Sequence, residues 1–204
     1  GVANVAMGNA ALANNQWGND NTAIGFQALF NDTVSENTAV GSWAMHENRS
    51  GRANVALGNS ALANNQWGSD NTAIGYQALL NDTVSENTAV GSWAMHENRS
   101  GGANVAMGNS ALANNKWGSD NTAIGFQALL NDTVSENTAV GSWAMHENRS
   151  GVANVAMGNA ALANNQWGSD NTAIGFQALL NDTVSENTAV GSWAMHENRS
   201  GGAN

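Results

Sequence analysis

Few residue types in this chain could do chemistry, and all of them recur. His46-Glu47 returns as His96-Glu97, His146-Glu147 and His196-Glu197. A histidine beside a carboxylate is the smallest start of a metal site. Trp17, Trp67, Trp117 and Trp167 sit in polar surroundings, where an indole can anchor a partner or stack on a sugar face. Asp20, Asp32, Glu36 and Glu47, with their copies, supply the acidity, and rows of such carboxylates could take a divalent cation through oxygen ligands. Asn31-Asp32-Thr33 and Asn48-Arg49-Ser50 fit the N-x-[ST] acceptor pattern. There is no cysteine, no Ser/His/Asp set with distinct partners and no glycine-rich phosphate loop opening a helix. A catalytic site is a single constellation, whereas here every candidate is one of four equals. The expectation is a chain that is not an enzyme and holds no cofactor and no metal.

Composition narrows the class further. The 204 residues carry six Lys+Arg against sixteen Asp+Glu, a net charge of −10. Phosphate recognition needs clustered cations, so nucleic acid is not an expected partner. No run of about 18 apolar residues occurs, which argues against insertion in a membrane. With 42% hydrophobic residues the chain has enough apolar side chains to fold.

The elements that must position these residues follow from repetition. Residues 1–50 recur at 51–100, 101–150 and 151–200 with few changes. Within each block Asn4-Val5-Ala6-Met7-Gly8, Asn21-Thr22-Ala23-Ile24-Gly25 and Asn37-Thr38-Ala39-Val40-Gly41 are one motif written three times, and the next copy begins at Asn54. The steps of 17, 16 and 17 residues sum to 50. The unit reads N-[VT]-A-[IVML]-G-x-x-A-[LM], then a polar tail. Twelve units fit and Asn204 opens a thirteenth, so residues 1–204 form a single array that reads as a piece of a longer fibre.

Sixteen residues are too few for a helical hairpin but enough for one solenoid coil of two short strands and two turns. A glycine in every unit and Asn/Asp/Ser clusters at every tail oppose continuous helix, although Gln-Ala-Leu-Leu is locally helix-friendly. The expected fold is all-β: a parallel β-solenoid of about 12 coils with 16–17 residues each. Strands stacked at about 4.7–4.9 Å would make a rod about 55–60 Å long. Asn4, Asn21, Asn37, Asn54, Asn71 and Asn87 would then superpose in a ladder of side-chain amides. Equivalent histidines would lie about 14 Å apart, too far to share an ion within one chain.

Each strand is apolar on both faces. Ala23 and Gly25 share one, and Ile24 lies on the other with Thr22. The small face suits the interior of the roll and the large face a contact between chains, with the reverse assignment as the alternative. Self-association in a closed ring follows as the expectation.

The pentapeptides Asn21 to Gly25, Asn37 to Gly41 and Asn4 to Gly8, each followed by x-x-Ala-[Leu/Met], resemble the head repeats of YadA-like trimeric autotransporter adhesins and the stalk repeats of phage-type fibres. The resemblance runs unit by unit over the whole chain. It implies a left-handed β-roll, a homotrimer, and a place outside the cell: on a cell surface or in a virion tail fibre.

The function expected is a rigid extracellular spacer and multivalent display surface, with a host-surface glycan or protein as possible partner. In that reading His46 and the acidic residues are solvated turn groups, Trp43 packs within the second strand, and Trp17 with its three copies is the surface contact. The rival reading is a lectin-like or ice-binding solenoid. A lectin would use Trp17. An ice binder would need an unbroken threonine row, and Val5 interrupts the row of Thr22 and Thr38.

Overall fold

A computed structural model describes residues 1–204 and shows a parallel β-solenoid. Twelve three-residue strands, from β1 (Val5–Met7), β2 (Thr22–Ile24) and β3 (Thr38–Val40) to β12 (Thr188–Val190), form one sheet in sequence order. Every neighbouring pair is parallel and in step. Val5, Ala6 and Met7 face Thr22, Ala23 and Ile24, which face Thr38, Ala39 and Val40. Steps of 16 and 17 residues thus land on the same register.

Each coil has one strand, not two. The segment after each strand, expected as a second strand, is a run of turns in which left-handed residues alternate with ordinary ones. In the first three coils these are Ala10 and Leu12, Gln27 and Leu29, and Trp43 and Met45, all with φ between 48° and 59°. Such a conformation costs an L-residue about 1 kcal/mol or more. It persists because the turn run still ladders between coils. Gln27 N–H donates to Asn9 C=O at 3.0 Å, and Leu29 N–H to Ala44 C=O at 3.0 Å. The backbone is therefore satisfied on this side without β geometry.

Glycine at the strand end is obligatory. Gly25 has φ +135°, and a Cβ there would lie 2.5 Å from the carbonyl oxygen of Gly41 in the next coil. Both the dihedral and the close approach exclude any side chain.

The interior is thin. Each coil sends five residues inward: in the second, Asn21, Ala23, Ala28, Leu29 and Asp32; in the third, Asn37, Ala39, Ala44, Met45 and Asn48, all fully buried. The apolar core consists only of Ala, Leu and Met. Ala23 faces in, while Thr22 and Ile24 face out, so the small face of the strand is the interior one.

Candidate functional site

Two polar columns run through the interior. In the first, Asn4 Oδ1 accepts the backbone N–H of Asn21 at 2.9 Å, Asn21 Oδ1 that of Asn37 at 2.8 Å, and Asn37 Oδ1 that of Asn54 at 3.0 Å. Asn54, Asn71 and Asn87 continue the series. Each amide nitrogen donates to a tail carbonyl: Asn4 to Gly18, Asn21 to Val34, Asn37 to Gly51. The rungs run from side chain to backbone, and they satisfy main-chain groups at the corner where the chain turns into the strand.

 The second column is Asn15, Asp32 and Asn48, repeated through the array. Register alone brings these residues together, each lying eleven positions after the first-column Asn of its own coil. Asn48 Nδ2 donates to Asp32 Oδ1 at 2.9 Å and to Gly51 C=O at 2.8 Å, and Asn65 Nδ2 donates to Asn48 Oδ1 at 3.1 Å. Asp32 was expected as a solvated turn carboxylate and is instead fully buried, as are Asp82, Asp132 and Asp182. Their Oδ2 atoms have no partner. Burial pushes the Asp32 carboxyl up to about 7, and Asp82 and Asp132 up to about 8, against the smaller opposing effect of bonds from Asn48, Asn98 and Asn148. Asp182 moves in the same direction for the same reason.

The aspartate occurs only in the 16-residue coil. There Val34, two residues after Asp32, takes the amide of Asn21; in the 17-residue coils Gly18 and Gly51, three residues after Asn15 and Asn48, take the equivalent bonds. The missing residue and the carboxyl coincide. Asx spacing is the signal that could have located this column in the sequence.

Outside, the candidates separate. His46 Nδ1 lies 3.0 Å from Glu47 Oε1, and Arg49 lies 3.4 Å from Glu47 Oε2. Glu47 also accepts from Asn31 at 3.0 Å, and Asn31 accepts from Asn14 at 2.8 Å, forming an outer polar column. His46 and Glu47 are part-buried members of this network, not free turn groups. No three His, Cys, Asp or Glu side chains gather as a metal cluster. No helix is long and apolar enough to cross a membrane.

Trp17, Trp67, Trp117 and Trp167 are 62–76% exposed and stand apart from other aromatic rings. Trp43 lies in the turn run, not in a strand, and is half-exposed. Its Nε1–H donates to Gln27 Oε1 at 2.9 Å, and its ring meets Phe26 edge-on at 6.0 Å. On the outer sheet face Val5, Val55 and Val105 break the column of Thr22, Thr38, Thr72 and Thr88. Compared with family models, curated proteins and solved structures, the chain matches none.

Proposed function

We propose that this chain is a rigid segment of an extracellular fibre, on a cell surface or a virion, acting as a spacer and multivalent display surface. The observation that carries the reading is the unbroken register of twelve parallel strands, with inward residues at equivalent positions from coil to coil. Each 50-residue repeat adds three coils, about 14 Å of length, with no hinge between repeats. The proposal includes a left-handed roll assembled as a homotrimer. Its support is the outer sheet face, where Met7, Leu57, Ile74, Met107 and Ile124 remain 36–61% exposed in the single chain, an apolar row in want of cover.

Native mass measurement and small-angle scattering test both parts. Three chains per particle and a shortening of about 14 Å on deleting residues 51–100 are expected. A compact monomer overturns the trimer; a deletion that leaves the length unchanged overturns the spacer.

A further inference from the structure

The turn face carries a repeated notch. Two of its outward columns change size along the axis. One reads Gln27, Trp43, Ser60, Gln77, and the other Phe30, His46, Ala63, Leu80. The first coil of each repeat thus has small residues at both positions, while its neighbours have large ones. The result is a cleft one coil wide. Trp43 and His46 form one wall, Leu80 the other, and Ser60 and Ala63 the floor, with a volume of about 320 Å³. The same cleft recurs at Trp93 with about 260 Å³ and at Trp143 with about 360 Å³.

We propose that these three clefts bind an uncharged glycan, one pyranose ring stacked on each indole. The ring wall is held in place: Trp43, Trp93 and Trp143 each donate Nε1–H to a glutamine of the preceding coil at 2.9–3.0 Å. Their π faces present negative charge density to the C–H edge of a sugar. The remaining lining mixes apolar contacts with neutral hydrogen-bonding groups, Asn64 and Gln27 among them, the pattern of a small-ligand site. With Nδ1 engaged by Glu47 at 3.0 Å, the His46 ring leaves Nε2 to hydrogen-bond a hydroxyl. No Lys, Arg, Asp or Glu lines the clefts. The net charge of −10 disfavours polyanionic chains, and the absence of a lining carboxylate disfavours cations. Three sites about 14 Å apart on one rigid axis add avidity to weak single contacts.

The inference goes beyond the spacer reading and does not depend on it. The test is tryptophan fluorescence and calorimetry with cellohexaose, maltohexaose, chitohexaose and mannohexaose, followed by retardation in gels containing the matching polysaccharides. At least one neutral probe is expected to bind in the millimolar range or tighter. The triple variant Trp43→Ala/Trp93→Ala/Trp143→Ala should weaken it at least about tenfold. Ala63→Leu/Ala113→Leu/Ala163→Leu fills the notch, keeps the indoles and should weaken binding equally. Changing Trp17, Trp67, Trp117 and Trp167 to Ala should leave it intact. Circular dichroism and the scattering length of each variant separate loss of binding from loss of fold. Failure of every probe with the parent chain overturns the proposal, as does binding that follows the Trp17 set while the Trp43 set is indifferent.

Discussion

Asn48 Nδ2 donates to Asp32 Oδ1 across one coil at 2.9 Å inside the solenoid, while Asp32 Oδ2 meets no donor or acceptor. In the neighbouring coils the corresponding side chains are amides. Asparagine can serve as both donor and acceptor in such a column, but an ionised aspartate can only accept. Protonation removes the buried charge from the carboxyl whose second oxygen lacks a partner.

Stability is therefore expected to depend on pH through these carboxyls. Between the ordinary aspartate value of 3.8 and the native values of about 7–8, the folded chain holds protons that the unfolded chain has released. Acidification through that window stabilises the fold, and above it the burial of charge is felt in full. Asp32→Asn/Asp82→Asn/Asp132→Asn should raise stability at pH 8.5 by a few kcal/mol in total or more. Its advantage should shrink as pH falls towards 4. Denaturant midpoints of both proteins across this range decide the matter; an advantage independent of pH would contradict it.

The first amide column should be costly to interrupt. Asn71 Oδ1 accepts the N–H of Asn87, and its Nδ2 donates to Val84 C=O. Asn71→Ala strands both groups and should cost about 2–6 kcal/mol, at about 1–3 kcal/mol for each. The exposed pair from Asn64 Nδ2 to Asn81 Oδ1 is the control. Asn64→Ala should change stability by no more than about 0.5 kcal/mol, since water replaces the bond. Equal losses in chemical denaturation would remove the distinction between the columns.

Gly75 tolerates no side chain. It has φ +134°, and an added Cβ would lie 2.5 Å from Gly91 C=O. Gly75→Ala should lower the thermal midpoint more than any single alanine substitution in the core, because backbone would have to move in two coils at once. Hydrogen exchange should show protection lost first around β5 (Thr72–Ile74) and β6 (Thr88–Val90).

Leucine and methionine share one buried column, as Leu79 and Met95 show. Met95→Leu should therefore cost less than about 1.5 kcal/mol. Leu79→Ala leaves a void in a core that has no other large side chain in its coil and should cost about 2–5 kcal/mol. Denaturation midpoints that rank the two in the opposite order would refute this packing scheme.

Much of this molecule was legible in its residues. A motif returning after 17, 16 and 17 positions requires a backbone that comes back onto itself, because only stacking gives every copy the same surroundings. The alternation of Ala23 with Thr22 and Ile24 shows which side is thin. Other features belong to the tertiary structure alone. Ala10, Leu12, Gln27 and Trp43 are not residues whose side chains announce a left-handed backbone. They adopt it because the coil must close within sixteen or seventeen residues while keeping its ladder bonds. Asp32 looks like a turn residue, and only the register that stacks it between Asn15 and Asn48 carries it inside. The notch beside Trp43 exists because small and large side chains from three separate coils become neighbours, a relation between laps that no local stretch of sequence contains.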